Sequence, residues 1–442
     1  MWWSEPTMFP NDKPATPRTR RAFLGTTATA TLLALAGCTG DGGSGSEPTE
    51  TTTATESPMT TTEEPTTTDE PMGNPDVPIL NYALTLEHLE NAFYRDGLET
   101  FSDDELMEAD SLSMFGERIR REVPEYLAVI GEHEAAHVEA LTKTVEDLGG
   151  TAVKEGTYDF GYETPSEFLG VAKALENTGV AAYAGAAPSV VSNDILSAAA
   201  GIHSVEARHA SFLNLVNGDS PYPKAVDEAS TMTEVLDIAG GFITSEVDPS
   251  VYETNEMSRP EPDRKMDDGT TDVDVLNYAL TLEHLENAFY RDGLEEFSPD
   301  EIASASALSD FGETFRSNIH EHLQQVGAHE AAHVEALTKT VEEFDGTPVE
   351  EATYDFGYET PSEFLGVAKA LENTGVAAYA GAAPSVTSDA VFSAALGIHS
   401  VEARHASFLN ELNATSPFPD GVDESKSMDE VVEIASQFIV SD

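Results

Sequence analysis

From about residue 76 onward, apolar positions recur at three- and four-residue spacings, the period of a helix with one buried face. Leu80, Leu84 and Glu87 share such a face, which Asn91 and Tyr94 continue, and Gly97 reads as a stop. A short connecting helix opens at Ser102 and Glu105, a serine and a glutamate spaced to cap each other's backbone. A second long helix runs to about Leu148, where Gly149 and Gly150 end it. Pro124 lies in its early part and predicts a kink or a late start. The loop from Tyr158 through Phe160 to Tyr162 leads to Thr164, Pro165 and Glu167, a second capping box. That helix is expected to run to about Ala187. A fourth spans from near Ser192 to about Asn217, and a short helix over 233–242 is expected to cover one end of the bundle.

The same pattern then repeats. Leu80-Asn81-Tyr82 recurs as Leu276-Asn277-Tyr278, an offset of 196 residues that also carries Glu134 to Glu330 and His209 to His405. Residues 157–190 reappear unchanged at 353–386, and 201–214 at 397–410. Other stretches drift, among them 118–129 against 314–325; there Pro124 has no counterpart, the second copy carrying His320. The second copy has its own capping box at Ser298 and Glu301, with Pro299 in the first turn. The expected organisation is all-α, with two tandem four-helix bundles at 76–247 and 272–442. An acidic, proline-marked linker at 248–271 joins them.

Composition adds a location and removes some partners. The 442 residues include 22 Lys plus Arg and 81 Asp plus Glu, a formal charge of −59. A surface that acidic repels nucleic acid and anionic membranes. Low lysine with dense acid resembles proteins of salt-loving archaea. Arg20-Arg21 followed by the apolar run 24–36 resembles a twin-arginine export signal, too short for a spanning helix. Leu35-Ala36-Gly37-Cys38 resembles a lipoprotein cleavage box, with Cys38 as the lipidated residue ending a signal segment 1–38. Cys38 is the one cysteine, so no internal disulfide forms. Residues 39–75 are rich in Thr, Glu, Pro, Gly and Ser without apolar period and read as a disordered tether.

The chemistry lies in one motif. Glu-x-x-His occurs as Glu134/His137, Glu206/His209, Glu330/His333 and Glu402/His405. Residues three apart lie on one face of a helix, so carboxylate and imidazole can close on one metal ion. The other two long helices of each repeat carry a glutamate with a tyrosine seven residues on: Glu87/Tyr94 and Glu176/Tyr183, then Glu283/Tyr290 and Glu372/Tyr379. Glu90 and Glu286, one turn further, compete with Glu87 and Glu283 for the first-helix role. His88, His133, His203, His284, His329 and His399 read as core or surface histidines. The small residues around Tyr183 read as a close-packing stripe.

This arrangement resembles the ferritin-like superfamily, in particular the secreted ferritin-like family that includes desiccation-related proteins. The resemblance implies that Glu87 and Glu176 are terminal carboxylates, one on each metal. Glu134 and Glu206 would bridge, and His137 and His209 would cap the two ions. The same roles fall on Glu283, Glu372, Glu330, Glu402, His333 and His405. Tyr94, Tyr183, Tyr290 and Tyr379 would hydrogen-bond ligand carboxylates. Donors of this kind suit iron or manganese, with zinc as a further option. The expected protein is lipid-anchored on the outer face of the cell membrane and acts on iron(II) with oxygen or peroxide. The alternatives are a stress or desiccation-related bundle without turnover and a metal carrier that does not oxidise its cargo. Pairing of the two bundles, or a homodimer, is expected.

Overall fold

The computed structural model describes residues 73–246, 248, 251–252 and 269–440. The export signal, Cys38 and most of the tether and of the 248–271 linker lie outside the described residues. Among the described residues twelve α-helices follow one another: α1 Val77–Thr100, α2 Asp103–Met107, α3 Glu117–Asp147, α4 Pro165–Ala186, α5 Asn193–Val216 and α6 Met232–Ala239 in the first repeat. In the second come α7 Asp272–Glu296, α8 Pro299–Ala303, α9 Glu313–Glu343, α10 Pro361–Ala382, α11 Asp389–Leu412 and α12 Met428–Ala435. Among the described residues the only extended pairings are isolated antiparallel bridges, Tyr158 with Ile243 and Tyr354 with Ile439. No described helix is long and apolar enough to cross a membrane.

The predicted caps set the boundaries. Ser102 with Glu105, and Thr164 with Glu167, close capping boxes at the starts of α2 and α4, and Pro165 supplies the first turn of α4. Each reciprocal pair satisfies backbone donors that a helix start leaves unpaired. The expected stop at Gly97 and the expected late start at Pro124 are not found. Gly97 does not end α1, which continues to Thr100. It is instead where α1 meets α4: a methyl group there would sit 2.0 Å from the Phe168 ring. Pro124 does not delay α3, which starts at Glu117 just as α9 starts at the equivalent Glu313. Pro124 removes one backbone donor, and the burial of Val123, Pro124 and Leu127 in the core holds the turn in place.

Each repeat packs α1 against α3 and α4 against α5, and α1 also meets α4; the second repeat does the same with its counterparts. Aromatic rings fill one half of the bundle, where Phe93 and Phe168 stack at 4.7 Å. Burying side chains of this size contributes about 1.5–3 kcal/mol each. The short helix does not sit on an end. Ile434 and Ala435 of α12 lie over Leu282, Leu285 and Glu286 of α7 and Gly375 of α10, mid-length positions in both long helices.

The two bundles meet back to back along α5 and α11. Every residue from 200 to 216 is buried, because one face of α5 lines its own bundle and the other lies on α11. Ala207, Ala210, Ala403 and Ala406 with Val180 and Val376 let the backbones approach. At that distance the Ser211 hydroxyl donates to the Arg404 carbonyl at 2.9 Å, and the Ser407 hydroxyl to that of Arg208 at 3.0 Å.

Candidate metal centre

Helix periodicity delivers six side chains to the axis of each bundle. Glu87 comes from α1, Glu134 and His137 from α3, Glu176 from α4, Glu206 and His209 from α5. All six are 0% exposed. They form two donor groups, with all ligand atoms of a group within 4.8 Å of one another. Glu87, Glu134, His137 and Glu206 make one, and Glu134, Glu176, Glu206 and His209 make the other. Glu134 and Glu206 belong to both, the placement that two bridging carboxylates require. In the second bundle Glu283, Glu330, His333 and Glu402 form one group and Glu330, Glu372, Glu402 and His405 the other. Glu87 rather than Glu90 joins the donors, and Glu283 rather than Glu286.

The donor geometry is close and underbonded. His137 Nδ1 lies 3.1 Å from Glu87, and His209 Nδ1 lies 3.1 Å from both Glu134 and Glu176. Yet Glu206 accepts no well-aligned hydrogen bond at either carboxylate oxygen, although His137 Nδ1 lies 3.3 Å from one of them, and the Glu134 oxygen that faces His209 accepts none either. The same atoms of Glu402 and Glu330 are equally bare. A buried carboxylate without a partner costs several kcal/mol. Two divalent cations balance four carboxylates, so the donor set fits a dinuclear centre.

The protons of the metal-free site follow from burial and crowding. Burial, with Glu134, Glu176 and Glu90 beside it, pushes the Glu206 carboxyl well above its usual range. Burial also lifts Glu87, to about 7. Burial opposes a charge on His209, but Glu176 and Glu134 outweigh it and raise the imidazole to about 9. His137 is likewise held well above its usual value, by Glu87 and Glu134 acting against burial. Burial alone would lift Glu134, but His137 and His209 bring it below the ordinary carboxylate range.

A ferritin-like domain model matches residues 75–219 and again 271–415. The chain belongs to the ferritin-like domain family. No match was found among curated proteins.

Around this ferritin-like centre the tyrosines pair across the bundle. Tyr94 of α1 donates to Glu176 of α4, and Tyr183 of α4 donates to Glu87 of α1. Tyr290 and Tyr379 do the same to Glu372 and Glu283. The Glu87 and Glu176 carboxylates are each oriented by the helix opposite their own, and the second oxygen of each faces a histidine. The fifth acid, Glu90, is buried and close: a side chain at Gly179 would start 3.0 Å from Glu206 and 3.2 Å from Glu90. Part of the small-residue stripe in α4 therefore gives these two carboxyls room.

Two of the histidines expected to be core or surface residues lie outside the donor groups but touch them. His133 Nδ1 lies 3.1 Å from His209 Nε2, and His329 Nδ1 lies 3.0 Å from His405 Nε2. Each steadies a candidate ligand from behind. The signal lay in the sequence as the residue just before each first Glu-x-x-His, present in both copies. His88 fits the ordinary reading, lying 3.2 Å from the Val153 carbonyl. His203 and His399 face each other across the bundle interface with ring centres 5.5 Å apart.

Proposed function

We propose that each bundle holds a dinuclear iron or manganese centre, with Glu134 and Glu206 bridging in one and Glu330 and Glu402 in the other. The observation that carries this is the pair of shared, buried carboxylates, three of whose four oxygens accept no hydrogen bond in either bundle. Two adjacent ions of this kind supply two-electron redox chemistry, which suits oxidation of iron(II) or removal of peroxide. The chain's own residues do the rest. The histidines and terminal glutamates fix where the ions sit, the tyrosines hold the terminal carboxylates in place, and the aromatic core keeps bulk water out. Glu90 and Glu286, pushed well above the usual carboxylate range by burial and by the neighbouring glutamates, stand ready to give or take a proton beside the centre.

The arginine pair, apolar run and Cys38 support export by the twin-arginine route and lipid anchoring at the outer face of the membrane. Export of a folded chain suits a protein loaded with metal beforehand.

A second reading is a stress-related bundle in which the metal is structural. Complete burial of all twelve donors favours it. Elemental analysis of the purified chain, beside Glu134→Ala/Glu330→Ala, tests the metal; iron(II) added in air, followed by near-ultraviolet absorption, tests turnover. About four ions per chain, lost in the variant, with absorption growing over repeated additions, is the expected result. Bound metal without repeated oxidation would favour the structural reading, and no transition metal at all would overturn both.

A further inference from the structure

The outer nitrogen of a ligating histidine normally finds an acceptor that fixes its tautomer. For His137 that acceptor is not in its own bundle. Its Nε2 donates to the carbonyl of Gly421, in the second repeat, at 2.6 Å. His333 of the second repeat donates in the same way to Ala225 of the first, also at 2.6 Å. The segments that supply these carbonyls follow α5 and α11, and each crosses the interface. Phe418, from the second repeat, sets its ring against His209 with centres 5.0 Å apart, and against His133 and Phe212 as well. Tyr222, from the first repeat, sits 4.9 Å from His405 and packs on His329 and Phe408. Both rings are 0% exposed.

The crossings are pinned at their far ends. Asp423 accepts from Arg208 at 2.7 Å, and its backbone N–H donates to the Gly201 carbonyl at 3.1 Å. Asp227 accepts from Arg404 at 2.7 Å, and its N–H donates to Gly397 at 3.0 Å. Each segment then returns home: the Ser230 N–H donates to Ala181 in its own repeat, and that of Lys426 to Ala377.

We propose that each centre is completed by the other repeat: residues 222–227 position His333 and His405, and residues 418–423 position His137 and His209. Metal affinity at one centre is thus set by a loop encoded in the other half of the chain. This rests on the dinuclear reading above. It also gives the duplication a physical purpose, since one repeat by itself lacks the loop that finishes its site.

The test uses the full chain and reads one centre at a time. Glu134→Ala/Glu206→Ala silences the first centre, and manganese(II) binding at the second is then measured by the spin-resonance signal of the free ion. In that background Tyr222→Ala, a change in the first repeat, should weaken binding at the second centre about 10–100-fold. Asp227→Ala should weaken it less, and Phe418→Ala should leave it unchanged. Tyr222→Phe should restore it, since phenylalanine does this work in the other repeat. With Glu330→Ala/Glu402→Ala instead, the pattern should reverse, Phe418→Ala weakening the first centre and Tyr222→Ala sparing it. Melting curves on every variant separate local repositioning from unfolding. Intact binding in the silenced backgrounds with no crossed effect, or with each loop acting on its own centre, overturns this inference alone. No manganese binding in either background overturns the dinuclear reading and this inference with it.

Discussion

A bridging carboxylate that serves metal should be a burden to the protein without metal, and Glu206 allows that burden to be sized. In the metal-free fold its carboxyl is raised well above the ordinary glutamate value of 4.5, first by burial and then by Glu134, Glu176 and Glu90. A group whose folded value is raised stabilises the fold below its unfolded value and loses that contribution as pH climbs towards the folded one. The window therefore opens near pH 4.5, and each pH unit above it costs about 1.4 kcal/mol while the folded state keeps its proton. Glutamine has the same shape and needs no proton. Glu206→Gln together with Glu402→Gln should match the parent at pH 4.5 in chelator. At pH 6.5 the variant should be the more stable of the two, by up to about 1.4 kcal/mol for each pH unit over which the folded Glu206 keeps its proton, and should melt at a higher temperature. Concentrated salt, which suits so acidic a chain, barely screens a site this deep. With iron(II) or manganese(II) in excess the order should invert, because only the parent gains stability from bound metal. Thermal melts by circular dichroism at the two pH values, with chelator and with metal, read all of this. A variant no more stable than the parent at pH 6.5 in chelator would refute the reasoning. So would an equal gain at pH 4.5. Either would mean that the cluster is a satisfied ion-pair network.

Metal loading should also expel protons. His137 and His209 carry theirs at neutral pH in the empty site, and so does Glu206; ligation needs all three bare. Glu87, lifted to about 7, is about half protonated and adds to these, so about three to four protons per bundle should leave at pH 7, and affinity should rise with pH; calorimetry in two buffers of different ionisation enthalpy counts them. Tyr94→Phe frees one oxygen of Glu176 and should weaken metal binding about 10–100-fold with helix content unchanged, as measured by competition with a chelator. Gly97→Ala drives a methyl into the Phe168 ring and should cost about 1–3 kcal/mol, visible as earlier melting; Gly293→Ala against Phe364 should do the same in the second bundle.

What could be read from the chain was whatever repeats at helical spacing. Glu134 with His137, and Glu87 with Tyr94, stood out because three and seven residues along a helix return to the same side. Capping boxes and prolines likewise fixed most helix ends within a residue or two. Contacts between helices were less visible. Tyr94 was noticed through Glu87 on its own helix, yet it serves Glu176, a pairing set by how α1 and α4 face each other. Gly97 looked like a stop because a glycine needed for close approach and one that ends a helix are the same letter. The carbonyls of Ala225 and Gly421 left no trace at all, since a backbone acceptor has no side chain to recognise.

The crossed loops also explain where the two copies drifted apart. Tyr222 became Phe418 in the second copy, or the reverse, and the surfaces they meet differ in step. Tyr222 donates to the His322 carbonyl at 3.2 Å and accepts from Gln325 through its own carbonyl at 2.9 Å. The positions equivalent to His322 and Gln325 are Tyr126 and Val129, and it is Tyr126 that packs on Phe418. Tyr126 in turn donates to Glu411 of the second repeat at 3.1 Å, where the first repeat carries Leu215. Burial pushes the Glu411 carboxyl up to about 8, so at neutral pH it is mostly protonated, and with Arg118 at 3.5 Å it meets Tyr126 as a hydrogen-bonded cluster. Loop and target thus changed together across the interface while the twelve donors stayed fixed. Once both repeats are in one chain, each interface can adapt by itself, which two identical subunits could not do. Selection on the donors and drift at the covers are what a pair of mutually completed centres would leave behind.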